Sequence, residues 1–384
     1  MPAQGSVVEL DASTADVIVV GGGPIGLGVA WRAAQAGLSV TVVDPAPERG
    51  AWRTAAGMLA PITELHYTES DLLRLNLASA GRYADFVAEL TDATGLPTGY
   101  QETGTIEVAW DAADLAGLRD LHAFGTRLGL TSTPLDARDL RRLAPGLAAA
   151  LPGGLLAEHD DQVDPRLLHA ALTAATERCG VRHVRAVASV RVVSDQVRGV
   201  RLDDGTEISC AQVVLAAGAW STQPELGLSG LPTIRPVKGQ TVRLRTALNV
   251  RHVIRASVRG STVYVVPRPN GEVVVGASSE EAGFDVRPRA GAIYELLRDA
   301  QSVLPELAEA ELTEISTGLR PGSPDNAPLL GRYGPEGLVV ATGHYRNGIL
   351  LTPVTADGIA AILAGAPAPA ELAPFTPARL EVAV

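Results

Sequence analysis

The sequence predicts an α/β protein in which a Rossmann-like nucleotide-binding domain is interleaved with a mostly antiparallel α+β domain. Three observations carry this. A strand, a glycine-rich turn, a helix and a second strand follow one another within about 30 residues near the start. Buried, parallel-type strands recur in the middle and near the end, and antiparallel hairpins fill the gaps between them. The 384 residues suffice for two or three domains at roughly 150 each.

The elements follow in order. ADVIVV (15–20) is a β-branched run suited to a strand buried on both faces. GGGPIG comes next, then GLGVAWRAAQAG, a helix-compatible stretch closed by Gly37, and LSVTVVD, a second buried strand ending at Asp44. A helix is expected over 71–90, where Tyr83, Phe86, Val87 and Leu90 recur at three- and four-residue spacing. GTIEVAW reads as a strand and 112–128 as a helix. VDPRLLHAALTAATERCG has Asp164 as N-cap, Pro165 at the first helical position and Gly180 past the end.

RGVRLDDGTEIS is a hairpin around Asp204-Gly205 that feeds AQVVLAAGAWS, a buried strand ending in a turn at Gly218. STVYVVPRPNGEVVVGASSE is a second hairpin with Asn270-Gly271 at its tip. A two-residue turn there would place Tyr264 opposite Ala277, and strand alternation would put Tyr264 and Ser279 on one face. ELTEISTGLRPG brings a strand up to Arg320. GLVVATGHYRNGILLTPVTADGIAAILAG supplies a last strand, a turn, and a helix starting near Asn347.

Composition removes several function classes. Hydrophobic residues make up 46% and charged residues 20%, which excludes a disordered chain. Lys plus Arg is 32 against 43 Asp plus Glu, a net charge of -11, which argues against nucleic acid or an anionic membrane as partner. Cys179 and Cys210 form no disulfide framework or metal spacing and are expected to be small core residues. His66, His122, His159, His169, His183 and His252 match no metal motif, and no nucleophile elbow is present. The adjacent pairs Asp160-Asp161 and Glu280-Glu281 are expected to be solvated. The first residues show no leader pattern and no stretch is long enough to span a membrane, so a soluble, cytoplasmic protein is expected.

Gly21, Gly23 and Gly26 satisfy G-x-G-x-x-G: a tight turn, backbone approach to a pyrophosphate, and close helix packing. The helix N-terminus presents unpaired N–H groups to phosphate charge, and Asp44 is placed to accept hydrogen bonds from a ribose. No second fingerprint occurs, so FAD and NAD remain open on the glycines alone.

RTAAGMLAP (53–61), RPVKGQ (235–240), VYVVPRPNGEVVVGASSEEAGFD, GLRPGSPDNAPLLG and ATGHYRNGILLTP are together similar to the flavin-dependent glycine oxidases, thiamine-pathway members of the D-amino acid oxidase family. The similarity runs over 16–363. It implies FAD, held by a domain of residues 1–95, 150–232 and 321–384, with a substrate domain of residues 96–149 and 233–320. It also implies that Pro24 and Ile25 meet the phosphates and Asp44 with Pro45 the ribose end. Ala51, Trp52, Ala56, Gly57 and Met58 would run along the pyrophosphate and flavin, with Val190 at the adenine and Gly218 at the end of its strand. His344, Tyr345, Arg346, Asn347, Gly348, Ile349 and Leu350 would lie beside the flavin pyrimidine ring.

For substrate, the resemblance implies that Arg320 grips an amino acid carboxylate bidentately, with Arg346, Tyr264 and Ser279 around it. Lys238 would lie near the flavin or serve packing. Ser279 stands where a relative carries a bulkier apolar residue, and Arg53 where Ser or Ala is commoner. The implied reaction is oxidation of glycine to an imine that hydrolyses to glyoxylate and ammonia, with oxygen reduced to peroxide and sarcosine or D-alanine as further substrates. A FAD-dependent dehydrogenase or oxidase of another small D-amino acid or N-methyl amino acid is the alternative. No metal is implied, and the protein is expected to be a homo-oligomer, tetramers being frequent among relatives.

Overall fold

The computed structural model describes residues 14–381, so the leader reading lies largely outside the described residues. In chain order the strands begin with β1 (Thr14–Val20), β2 (Val40–Val43), β3 (Met58–Leu59), β4 (Thr105–Ala109), β5 (Thr133–Asp136) and β6 (Gly153–Ala157). They continue with β7 (Asp161–Gln162), β8 (Arg182–Val184), β9 (Ala188–Val193), β10 (Gln196–Leu202), β11 (Glu207–Leu215) and β12 (Arg235–Arg245). The last are β13 (Val253–Val258), β14 (Ser261–Pro267), β15 (Glu272–Gly276), β16 (Glu311–Gly322), β17 (Leu329–Arg332) and β18 (Leu338–Thr342). The α-helices are α1 (Pro24–Gln35), α2 (Ser70–Thr94), α3 (Ala112–Arg127), α4 (Ala137–Leu143), α5 (Pro165–Arg178), α6 (Ala290–Val303) and α7 (Thr352–Leu363).

Two sheets result. The first runs β17-β18-β11-β1-β2-β8, with β1, β2, β8, β11 and β18 parallel where they pair. The antiparallel run β9-β10-β11 branches from it. Val17 and Val19 of β1 face a core with α1, α2, α5 and α7, while Ile18 and Val20 face one with β9 and β10. Burial on both faces is why β1 lacks polar alternation. The second sheet runs β16-β12-β15-β14-β13-β4-β6-β5 and is antiparallel except for β13 with β4. Val242, Leu244, Val263, Val265, Val273 and Val275 pack on α6 from one face, leaving the other face toward the first sheet.

The caps of α5 occur as its sequence dictates: the Asp164 side chain accepts from Arg166 N, Pro165 opens the helix, and Gly180 has φ +76. Several expectations are corrected. Residues 150–232 do not stay with the first sheet throughout, because β6 pairs with β4 and β5 in the second. RPVKGQ forms part of β12, and Lys238 is fully buried there, bonded through Nζ to the Arg287 carbonyl at 2.7 Å. Cys179 is exposed as the C-cap residue of α5, and Cys210 is partly buried on β11.

Asp160 is not solvated but completely buried. It accepts from Ile62 N (3.1 Å), Thr63 N (2.6 Å) and Thr63 Oγ1 (2.7 Å) and so pins the 62–64 turn. Burial raises its pKa to about 7 against those bonds. The last helix begins at Thr352 rather than near Asn347. Gly348 is a poor helix former, so residues 347–351 make one open turn first, closed by Leu351 N to Asn347 O at 2.8 Å.

The second hairpin also differs. Pro269, Asn270 and Gly271 form a three-residue loop, with Arg268 N bonded to Glu272 O at 2.8 Å and Gly271 at φ +79. Proline suits the first turn position and glycine the left-handed bulge position, so this loop outcompetes a two-residue turn. Tyr264 therefore pairs with Gly276, not Ala277. Among the described residues no helix is long and apolar enough to cross a membrane.

Candidate active site

Between the sheets lies a cavity of about 870 Å³ that reaches from the β1–α1 turn to the turn after β18. Its first end is backbone chemistry. A Cβ on Gly26 would lie 2.0 Å from the Gly21 carbonyl oxygen, so α1 can approach the turn this closely only with glycine there. Gly23 caps α1, Pro24 is its first residue, and the helix has no acidic residue in its first turn, so its N-terminal amides face the cavity without a competing charge.

Asp44 accepts from Gly22 N (2.7 Å) and Ala46 N (2.8 Å), one on each carboxylate oxygen. Each oxygen keeps a second lone pair for a hydroxyl in the cavity. Trp52 is held by its Nε1 bond to the Pro47 carbonyl (3.1 Å) and by stacking on His169 at 3.8 Å between ring centroids. His169 in turn donates from Nε2 to the Gly22 carbonyl at 2.9 Å, and burial lowers its pKa, keeping it neutral. His169 had no motif to reveal it.

The far end is side-chain chemistry on the cavity-facing side of the second sheet. Directly paired residues put Thr241, Gly276, Tyr264, Arg255 and Glu107 in one row across β12, β15, β14, β13 and β4. All five but Gly276 line the cavity. The Tyr264 ring lies over Gly276, where a Cβ would sit 2.4 Å from the phenol oxygen. Burial raises the Tyr264 pKa, so its hydroxyl stays protonated. Arg320 lies flat on Gly239, where a Cβ would be 2.5 Å from Nη1, and that nitrogen donates to the Ser278 carbonyl at 3.1 Å.

The two expected substrate arginines differ. Arg320 lines the cavity and forms no ion pair among the described residues, whereas Arg346 lies 3.7 Å from Glu64 and 3.4 Å from Glu69. Glu64 also binds Arg255 at 2.7 Å. Burial works against the Arg255 cation, but Glu64 and Glu107 outweigh it and hold its pKa above the ordinary value. Burial raises the Glu107 pKa, opposed by Arg255. Glu64, His66, Glu107 and Arg255 all line the cavity and were missed from sequence. Among the described residues no group of three His, Cys, Asp or Glu side chains is placed to hold a metal.

The 343–350 turn closes this end. Tyr345 N donates to the Pro321 carbonyl (2.9 Å), tying the turn to β16 just past Arg320. From behind, Ser79 donates to the Leu350 carbonyl (2.6 Å) and Tyr83 to the Ile349 carbonyl (3.1 Å), both from α2. His344 is buried against Thr355 (3.1 Å), and burial pushes its pKa down to about 3. Gly348 and Ile349 line the cavity, and their amides donate to no protein acceptor among the described residues.

Of the expected contacts, Gly21, Gly23, Pro24, Ile25, Asp44, Pro45, Ala51, Trp52, Ala56, Gly57, Met58, Gly218, His344, Tyr345, Arg346, Gly348 and Ile349 line the cavity, as do Arg320, Tyr264 and Ser279. Gly26 serves packing, and Asn347 and Leu350 stand behind the wall. Val190 is buried beyond it: β9 has left the cavity by then, and Ala186, Val187 and Ala188 form the wall instead.

A glycine turn at a helix N-terminus, joined by one cavity to a cationic pocket, defines a dinucleotide-dependent oxidoreductase. The chain belongs to the DAO family of FAD-dependent oxidoreductases, whose model matches residues 16–362. It is 34% identical over 352 residues to the bifunctional protein ThiO/ThiG of Nostoc sp., which covers 91% of this chain and 53% of that protein. The chain thus spans about half the length of the ThiO/ThiG relatives it matches. It is 32% identical over 370 residues to the glycine oxidase of Geobacillus kaustophilus, covering 95% of this chain and 97% of that one. The crystal structure of glycine oxidase from Geobacillus kaustophilus matches with a TM-score of 0.89 at 31% identity, over 97% of this chain and 100% of that chain. The residues present fit FAD: uncommitted amides stand at both ends of the cavity, with Asp44 beside the first.

Proposed function

We propose that this protein oxidises glycine to an imine that water hydrolyses to glyoxylate and ammonia, and oxidises other small amines such as sarcosine or D-alanine to their own imines. Oxygen is the acceptor and leaves as hydrogen peroxide. The observation that carries this is Arg320, a cavity-lining guanidinium without a carboxylate partner among the described residues, beside a protonated Tyr264. Relatives named glycine oxidase and ThiO/ThiG support the same reading and suggest that the imine feeds thiazole assembly for thiamine.

When bound, the flavin supplies the two-electron acceptor for the hydride leaving Cα. The chain supplies position. Arg320 holds the substrate carboxylate through paired hydrogen bonds, and Tyr264 donates from β14, with β12 and β15 between the two strands. The amides of Gly348 and Ile349 would hold the flavin, and such a donor pair would favour added negative charge on it. Arg346, already engaged with two carboxylates, orders the cavity mouth.

Ser279 favours a second reading. It is small, exposed and lines the cavity, which leaves room for the methyl group of sarcosine or D-alanine. A dehydrogenase using another acceptor fits the same pocket. We further propose a cytoplasmic homo-oligomer, with neither nucleic acid nor membrane as partner.

The test is purified protein given glycine, sarcosine and D-alanine under air, with peroxide recorded, then the same substrates without oxygen and the flavin absorbance followed. Peroxide from glycine and anaerobic bleaching are expected. Bleaching and dye reduction without peroxide would identify a dehydrogenase, and a folded protein that takes up no FAD would overturn the reading.

A further inference from the structure

We propose that Glu280 is the positioning residue of the substrate-carboxylate site, acting through a β-bulge at 277–279; the proposal rests on the functional reading of Arg320 above. The β12–β15 ladder runs in register as far as Thr241 opposite Gly276. Pairing resumes at Lys238 and Glu280, which exchange both backbone bonds, Lys238 N to Glu280 O at 2.9 Å and Glu280 N to Lys238 O at 3.0 Å. Between those pairs residues 277–279 oppose only 239–240. The extra residue bends the strand and re-aims its side chains. Strict alternation from Gly276 would turn Ser279 away from Tyr264, yet Ser279 lines the same cavity.

A bulge persists only if its displaced polar groups find partners. Here the Ser278 hydroxyl accepts from Gln240 N (3.0 Å) and donates to Glu280 Oε1 (2.6 Å). Gln240 Nε2 donates to the same oxygen at 2.6 Å, and Lys238 Nζ lies 3.7 Å from the other. One carboxylate thus gathers Ser278, Gln240 and Lys238. What it fixes is the Ser278 carbonyl, which accepts from Arg320 Nη1. With Gly239 beneath the guanidinium and that carbonyl at one nitrogen, the remaining N–H groups keep one orientation for a carboxylate. Glu280 does not line the cavity and acts only through this relay.

The experiment uses FAD-loaded protein and two probes: glycine turnover, and acetate titrated into the oxidised enzyme while the flavin absorbance shift is read. Glu280→Ala is expected to weaken acetate binding and raise KM for glycine by about tenfold each, the equivalent of one lost hydrogen bond. FAD content and kcat should be kept, and Glu280→Gln, which retains the acceptor for Ser278, should recover most of the loss. Ser278→Ala should reproduce the alanine effect and carries the test if Glu280→Ala does not fold. Unchanged acetate affinity and KM, or a fall in kcat and FAD content with KM untouched, would overturn the proposal, as would a wild-type enzyme blind to acetate. A wild-type protein that binds acetate but leaves glycine unoxidised refutes the functional reading alone, and the Glu280 effect is still read in acetate binding.

Discussion

The two ends of the cavity are built on opposite principles. At the nucleotide end the working groups are backbone amides, so the side chains there mostly have to be absent, as at Gly21, Gly23 and Gly26. At the substrate end the working groups are side chains on five different strands, brought together by ladder register alone. The first arrangement writes itself into a short contiguous motif because local geometry demands it. The second leaves residues scattered over more than half the chain.

The sharpest way to break the nucleotide end is Gly26→Ala. Its added methyl would stand 2.0 Å from the Gly21 oxygen, a backbone atom that cannot yield cheaply. A loss of about 3 kcal/mol or more is expected, read as a lower melting temperature and colourless protein. Normal flavin uptake would mean that the α1 turn relaxes far more freely than its packing implies.

At the substrate end the largest effect is expected at Arg320→Ala, about 2–4 kcal/mol in kcat/KM for glycine with the flavin spectrum intact. Arg346→Ala removes a partly exposed arginine held by Glu64 and Glu69 and should cost about 1 kcal/mol or less. Equal losses for the two variants would place both guanidiniums on the substrate and erase the distinction drawn between them.

The smallest effect concerns the segment that joins the two ends. Asp160 has a folded pKa raised to about 7, above its ordinary value, because burial penalises its charge. Its neutral form is the one the fold favours, so its contribution is complete below about pH 4 and fades as pH rises through about 7. The wild-type melting temperature should therefore decline from pH 5 to pH 8 more steeply than that of Asp160→Asn. Parallel curves would show that Asp160 stays ionised within the fold.

Much of the architecture was legible. α5 carried its own punctuation in Asp164, Pro165 and Gly180, and β1 and β2 declared themselves by β-branched runs. Substrate-end residues were legible only where resemblance supplied them. Glu64, His66, Glu107, Arg255 and His169 had no signal, since each is an ordinary polar residue until a distant element packs against it. The Tyr264 and Ser279 expectation is instructive: the assumed turn was one residue short, and a bulge further along shifted the strand once more. Both residues still meet the cavity, but by a route that strand alternation cannot foresee.

By itself the chain determined where its backbone must be bare for a phosphate-bearing ligand, because the close approach of Gly26 to the Gly21 carbonyl within one turn is local by nature. Which charges would be neutralised and which left available was decided only in three dimensions. Arg320 and Arg346 look alike in one dimension; two glutamates reach the second, and a bed of glycine with a serine carbonyl receives the first. Electrostatic pairing depends on distances across the fold, and those exist only once both sheets have closed on each other.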